Sequence, residues 1–173
     1  MNVISIDPGV ERTGIYLFRN GQGSSIAVER PHSAERWRHL AELRKSILQH
    51  AKGMDLALVE DYPYGLPALR SASAIEVGGV VRETLTEMGI PVVVVGISTW
   101  KALTIGHMRK RTIGEVKAYC RAVHKKYGHA FATADEADAF LIYVAVLRIQ
   151  NRETGGEAAE RIRQEIGAAR RKT

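Results

Sequence analysis

Four acidic residues stand where a predicted strand ends or a predicted helix begins, a pattern typical of a site that binds cations. Asp7 ends the apolar run VISID and is followed at once by a Pro-Gly pair, and Glu60 ends the run DLALVE. Asp135 and Asp138 are three residues apart in ATADEADAFLIYVAV, so both lie on one face of a helix. An ionised carboxylate at the edge of a core costs free energy unless a cation or hydrogen bonds satisfy it.

The chemistry that such a cluster predicts is metal-dependent hydrolysis. Carboxylates brought together raise each other's pKa, and divalent cations with oxygen ligands, Mg²⁺ or Mn²⁺, relieve that repulsion. Two such ions about 3.5–4 Å apart activate water and stabilise the leaving oxygen of a phosphodiester. Simpler interpretations exist: Asp7 could start a turn, Glu60 could be a solvated strand end, and Asp135 could complement a helix dipole. Thr133 and Glu136 form a T-x-x-E capping box, which assigns Glu136 to capping.

The elements that must position these acids follow from apolar periodicity. Strands are predicted at 2–7, 14–18, 24–29, 55–60 and 91–95. Helices are predicted at 33–51, 71–88, 112–126 and 134–149. This order indicates an α/β fold, a mixed sheet with helices on its faces. A right-handed crossover would lay the fourth strand beside the first and bring Glu60 to Asp7.

Length and composition limit the classes of protein. The 173 residues suffice for one domain with a real core, and 45% hydrophobic with 25% charged residues is ordinary for a soluble globular protein. The single cysteine, Cys120, excludes an intrachain disulfide framework and indicates a reducing compartment. Since neither a leader nor a long apolar run stands out, we expect a cytoplasmic protein without membrane association.

The positive charge is concentrated in one stretch. The chain has a net charge of +6, and eight Lys or Arg residues lie between Lys101 and Lys126, where Glu115 is the only acid. A local excess of this kind is what a polyanion partner requires. The alternative is an ordinary solvated helix face.

These motifs together resemble the RuvC-type Holliday junction resolvases, members of the ribonuclease H-like superfamily. The matching segments are IDPGVERTG, LVEDYPYG, SASAIEVGGVV, WKALTIG and ADEADAF, in this order within residues 2–149. The resemblance implies a ribonuclease H-like nuclease domain over 1–150, with a mixed five-stranded sheet and helices on both faces. The short chain fits a phage-type member. The polar tail, 151–173, is expected to be helical or disordered and loosely docked.

The resemblance also implies roles for individual residues. The four acids would be a catalytic tetrad that binds two Mg²⁺ ions, with Mn²⁺ as a substitute. Lys101, in a K-x₄-G pattern ending at Gly106, would contact the DNA backbone near the scissile phosphate and assist catalysis. The cluster of Arg109, Lys110 and Arg111 is interpreted as phosphate-binding.

Two further features concern DNA and a partner subunit. Family members often carry an aromatic residue three positions after the Glu, where this chain has a proline between Tyr62 and Tyr64; either tyrosine could stack on bases. The helix at 71–88 resembles the family's dimer-interface helix, which would put Ile75, Gly78 and Gly79 at the interface. The glycine pair weakens the helix and indicates a close approach by another backbone.

The implied function is a Mg²⁺-dependent crossover junction endodeoxyribonuclease. A twofold homodimer would match the symmetry of a four-way junction and cut it in paired symmetric nicks with 5′-phosphate ends. Three alternatives remain open at the level of sequence. The chain could be a related nuclease acting on forks, other branched DNA or RNA. It could also be an actin-like or sugar-kinase ATPase with IDPGVERTG as its phosphate-binding turn, or a non-catalytic DNA-binding module.

Overall fold

The chain folds around one mixed sheet of five strands. A computed structural model describes residues 1–30, 35–62, 68–104 and 112–171. The strands are β1 (Val3–Asp7), β2 (Arg12–Arg19), β3 (Gln22–Glu29), β4 (Leu56–Glu60) and β5 (Val92–Val95). The helices in these ranges are α1 (Arg36–His50), α2 (Ala68–Glu87), α3 (Ile97–Leu103), α4 (Ile113–Tyr127), α5 (Ala134–Gln150) and α6 (Glu157–Arg170).

The order of strands in the sheet is β3-β2-β1-β4-β5. β1 is antiparallel to β2 and parallel to β4, and β5 is parallel to β4. The predicted α/β fold and the five predicted strands are therefore confirmed. The carboxyl ends of β1, β4 and β5 meet at one edge. From β1 the chain goes first to β2 and β3 on one side of it, and then crosses through α1 to β4 on its other side. Such a switch point is where open α/β sheets bind ligands.

One face of the sheet is covered by α1 and α2. Side chains alternate along a strand, and Ile4 and Ile6 of β1 pack on this side together with Val59 of β4. Leu43 of α1 and Val81 of α2 close the same apolar cluster, and all five residues are fully buried. Burial of such side chains contributes roughly 1.5–3 kcal/mol each.

The opposite face is covered mainly by α5. Val3 of β1 and Leu58 of β4 pack here against a helix in which 12 of 17 residues are buried. A helix that is apolar nearly all round belongs in a core. α5 is therefore held on the sheet by its whole length, which fixes the acidic residues of its first turns.

The C-terminal segment is part of this second core. Ile162 and Ile166 of α6 are buried with Ala159 and Ala169, and all four belong to the cluster that contains α5. These residues repeat at helical spacing and form one narrow stripe of small and branched side chains. The helical alternative is what the structure shows here, and the expectation of loose docking is wrong for α6.

Helix α2 contains the pair Gly78 and Gly79, which differ in what lies close to them. A Cβ atom on Gly78 would lie 2.6 Å from the ring of Tyr62, whereas one on Gly79 would meet nothing within 4 Å. The close approach at Gly78 is thus to a side chain of the same chain, and not to another backbone. Ile75 is 51% exposed, on the outward side of α2. The dimer interface stays a prediction.

None of the helices within the described ranges is long and apolar enough to cross a membrane.

Candidate active site

Asp7 and Glu60 end two neighbouring parallel strands. Ile6 is in register with Val59, so the next residue of each strand, Asp7 and Glu60, continues the same register. Hydrogen-bonded strands are about 4.8 Å apart. The two acids are therefore adjacent at the carboxyl edge of the sheet, as the crossover argument predicted.

Both acids face the α5 side of the sheet. Val3 and Leu58 lie in the α5-side core, and Asp7 and Glu60 follow them by four and two residues in their strands. Since side chains an even number of residues apart share a face, the acids point away from α1 and α2. Both are half-buried.

Gly14 determines where the first turn of α5 lies. Gly14 pairs with Asp7 across β1 and β2, and a Cβ atom on Gly14 would lie 1.9 Å from the carbonyl oxygen of Asp135. Only a glycine admits the helix this closely. Asp135, in the first turn of α5, therefore lies directly above the strand position next to Asp7. The positive end of the α5 dipole favours ionised carboxylates here.

Glu60 is held by the indole of Trp100. Trp100 is 1% exposed and its Nε1–H donates a 2.9 Å hydrogen bond to Glu60 Oε2. It belongs to α3, a short helix that directly follows β5 and that the periodicity did not predict. The N-cap residue of α3 is Gly96, so no side-chain hydrogen bond caps the start of this helix.

Asp138 is held by the phenol of Tyr119. Tyr119 of α4 is fully buried and donates its hydroxyl hydrogen to Asp138 Oδ1. Burial first, then the charge of Asp138, its hydrogen bond and the charge of Asp7 raise the pKa of Tyr119 far above its usual range. The phenol therefore stays protonated and remains a donor.

Asp135 is held by Arg12, the first residue of β2. Arg12 NH1 lies 3.3 Å from Asp135 Oδ2. The same guanidinium lies 2.9 Å from Glu29 Oε1 on β3. Asp135 thus shares its counter-ion with a second carboxylate.

The carboxylate of Glu136 has hydrogen-bond partners apart from the four candidate acids. The backbone N–H of Glu136 donates to Thr133 Oγ1 at 3.2 Å, which confirms the capping by Thr133. Its carboxylate accepts from Ser25 Oγ at 3.0 Å and from Ala132 N–H at 3.3 Å. In the predicted capping box, the Glu136 carboxylate would accept from the backbone N–H of Thr133. It accepts instead from the N–H of Ala132, one residue earlier. A complete box, which the sequence reasoning missed, joins Thr112 and Glu115 at the start of α4.

The donor chemistry of the four acids fits Mg²⁺ or Mn²⁺, because all four are carboxylates on elements that meet at one edge. Within the described parts of the chain, however, no three Asp, Glu, His or Cys side chains are grouped as ligands of one ion. Glu60, Asp135 and Asp138 are each engaged by a protein donor at one oxygen. An ion would have to use their other oxygens or turn the side chains. The metal site stays a prediction.

Neither a protein-family model nor a curated protein sequence matches this chain. Among solved structures, Thermus thermophilus RuvC in complex with a Holliday junction substrate has a TM-score of 0.68 at 17% identity, over 88% of this chain and 96% of that one. A second Thermus thermophilus RuvC structure has a TM-score of 0.60 at 21% identity, over 89% and 98%. The chain has the RuvC fold. These identities establish the fold alone.

Lys101 lies next to the partner of Glu60. Its Nζ is 5.2 Å from the ring centre of Trp100 in the same helix. The end of α3 is fixed by two cations: Lys126 Nζ donates to Thr104 O at 2.8 Å, and Arg148 NH1 to Leu103 O at 2.6 Å. The chain segment that follows, with the predicted phosphate-binding Arg109, Lys110 and Arg111, lies outside the described residues.

The basic stretch continues as a stripe on α4. Lys117, Arg121 and Lys125 repeat every four residues and are exposed. The buried side of the same helix carries Tyr119 and Val123. The helix that holds Asp138 thus presents three cations to solvent.

Tyr62 is engaged within its own chain. The Arg82 guanidinium lies 4.1 Å from the centre of the Tyr62 ring and donates to Asp61 Oδ1 at 3.2 Å. With Gly78 against its edge, the ring is fixed beside the end of β4. The other predicted stacking residue, Tyr64, lies outside the described residues.

Sequence reasoning missed the three donors that hold the acids. Trp100 stands directly before Lys101 in the quoted WKALTIG segment, so it had a signal in the resemblance. Arg12 lies inside IDPGVERTG, and its pairing with Glu29 requires the register of β2 and β3. Tyr119 had no signal, because nothing in the sequence relates α4 to the start of α5.

Proposed function

We propose that the protein is a metal-dependent endonuclease that resolves four-way DNA junctions. One observation carries the proposal: Asp7 and Glu60 end adjacent parallel strands, and their side chains lie on the face of the sheet where Asp135, in the first turn of α5, packs on Gly14. Four carboxylates on these elements are the oxygen donors that two Mg²⁺ or Mn²⁺ ions require.

The residues of the candidate site would have different roles. Asp7, Glu60, Asp135 and Asp138 would hold the ions, while Trp100 and Tyr119 orient the carboxylates. When bound, the ions would supply Lewis acidity for the attack of water and for the departure of the 3′ oxygen, giving 5′-phosphate ends. Lys101 would stabilise charge at the scissile phosphate.

DNA binding is supported by charge and by fold. The exposed cations of α4, with the basic cluster at 109–111, would neutralise phosphates, which makes the affinity steeply dependent on salt. One of the similar RuvC structures contains a Holliday junction substrate, and we extend that substrate class to this chain. A homodimer through the outward side of α2, where Ile75 is exposed, would provide two sites for paired nicks.

The test compares end-labelled four-way junctions, forks and linear duplexes in Mg²⁺, with wild-type protein and Asp7→Asn. We expect symmetric nicks confined to the junction, and we expect Asp7→Asn to remove them. Equal cutting of forks would replace the junction by branched DNA in general as the substrate. Tight junction binding without any cutting by wild-type protein would contradict a nuclease.

A further inference from the structure

Arg12 connects the predicted metal site to a carboxylate outside it. Its Nε and NH2 lie 2.9 Å from Glu29 Oε1, and its NH1 lies 3.3 Å from Asp135 Oδ2. A single guanidinium thus serves two acids on different elements. Planar forks of this kind are suited to carboxylates because their donors are fixed in direction.

The backbone dictates this arrangement. Arg12 and Glu29 are direct cross-strand partners of β2 and β3. Arg12 shares the α5-facing side of β2 with Gly14, two residues further on, on which the backbone of Asp135 rests. The backbone of Arg12 therefore lies on the side of β2 that faces the first turn of α5.

We propose that Arg12 lowers the affinity of the acidic site for divalent cations by competing for Asp135, and that Glu29 limits this competition by sharing the guanidinium. The inference rests on the proposed function, since it takes Asp135 as one of the carboxylates that bind the ions. Arg12 is in this sense a positioning residue: it acts through Asp135.

The direction in which Arg12 changes the affinity for divalent cations follows from its positive charge. A guanidinium carries a positive charge, so it opposes the binding of a second cation at Asp135. Arg12 and Asp135 are 38% and 32% exposed, so solvent screens the interaction and the effect is modest. Exposed pairs of this kind change equilibria by factors of about 1.4–5, and a divalent ion doubles the charge involved.

The experiment is calorimetric titration of the full chain with Mn²⁺. We expect Arg12→Gln to bind Mn²⁺ about threefold to tenfold more tightly than wild type, and Arg12→Lys, which keeps the charge, to stay between the two. Arg19→Gln is the matched control: it removes the same charge from the other end of β2, where Arg19 donates to the carbonyls of His50 and Lys52. Its Mn²⁺ affinity should equal that of wild type.

A double-mutant cycle isolates the role of Glu29. Glu29→Gln should weaken Mn²⁺ binding about twofold to threefold in the wild-type background and have a smaller effect once Arg12 is Gln. An undiminished effect in the Arg12→Gln background would show that Glu29 acts directly on the ion and would overturn its proposed role.

The outcomes separate this inference from the proposed function. If wild-type protein binds Mn²⁺ and Arg12→Gln binds it equally or more weakly, competition by Arg12 is wrong while the nuclease proposal stands. If folded wild-type protein binds no Mn²⁺, both are wrong. Thermal unfolding without added ions confirms that each variant is folded, and the shift of its midpoint by Mn²⁺ gives a second measure of affinity.

Discussion

On the α1–α2 side of the sheet, β1 and β4 present Ile4, Ile6 and Val59, all fully buried among aliphatic side chains. On the α5 side, the same two strands end in Asp7 and Glu60. Both sides are formed by the same ten residues of strand, and alternation alone separates them. The first side contributes apolar burial, and the second contributes charge at the edge where three parallel strands end.

The difference between the two sides predicts whether a substitution changes the stability of the protein or its chemistry. A change on the α1–α2 side should alter the free energy of unfolding and leave the chemistry of the folded protein intact. Replacing one of the carboxylates at the carboxyl edge of the α5 side should do the reverse. Pairs of neighbouring residues on opposite sides test this division directly.

The largest effect is expected at the end of β4. Glu60→Gln keeps an oxygen that accepts the indole hydrogen of Trp100 but removes the charge, so nicking should fall about 10³-fold with little change in stability. Val59→Ala, one residue earlier, should cost about 2–3 kcal/mol of unfolding free energy and keep the activity of the folded fraction. Denaturation curves and single-turnover nicking measure both. Comparable activity losses in the two variants would abolish the distinction between the faces.

The second-largest effect is expected at Gly14, where the first turn of α5 packs on β2. Gly14→Ala puts a methyl group 1.9 Å from the Asp135 carbonyl oxygen, so we expect a loss of about 3 kcal/mol in unfolding free energy together with weaker nicking. Gly167→Ala in α6, where a Cβ atom would lie 3.8 Å from its nearest neighbour, should stabilise the protein by about 0.5–1 kcal/mol. An undestabilised Gly14→Ala variant would mean that α5 does not rest on β2 as described.

A smaller effect is expected in α4. Tyr119→Phe removes the hydroxyl that donates to Asp138 and should cost about 2 kcal/mol of stability, with about tenfold slower nicking. Tyr127→Phe is the matched control in the same helix, because the Tyr127 hydroxyl is buried without a hydrogen-bond partner among the described residues. It should be neutral or stabilising. Equal behaviour of the two variants would remove Tyr119 from the site.

The smallest effect lies on the α1–α2 side, at His39. Burial, then the charge of Arg30, lower the pKa of His39, and Glu11 opposes them. The unfolded chain therefore takes up this proton first, so stability is complete above about pH 6.5 and is lost as the pH falls toward the lowered folded pKa. His39→Leu should flatten the dependence of unfolding free energy on pH in this range. A slope identical to that of wild type would exclude His39 as its source.

The sequence predicted the sheet well, because its strands are apolar runs with clear turn residues between them. The adjacency of Asp7 and Glu60 needed only the right-handed crossover rule. The spacing of Asp135 and Asp138 predicted only that they share one face of their helix, and not how that helix is placed on the sheet.

Other features depend on tertiary contacts that periodicity does not encode. Helix α3 is only seven residues long, too short for an apolar period to show. The stripe of α6 consists partly of alanines, which count little in a pattern of large apolar residues. Tyr119 and Arg12 reach their acids across separate elements, so the local sequence contains no sign of the pairing.

We expect the α5 side to carry the chemistry, and two acids of α5 test this most directly. Asp138 and Glu136 are both buried and two residues apart, but Asp138 accepts from Tyr119 whereas Glu136 accepts from Ser25. Nicking of an end-labelled four-way junction in Mg²⁺ is measured for Asp138→Asn and Glu136→Gln, per folded protein. We predict a loss of about hundredfold or more for Asp138→Asn and less than about threefold for Glu136→Gln. Retained nicking by Asp138→Asn, or equal losses in both, would contradict the account.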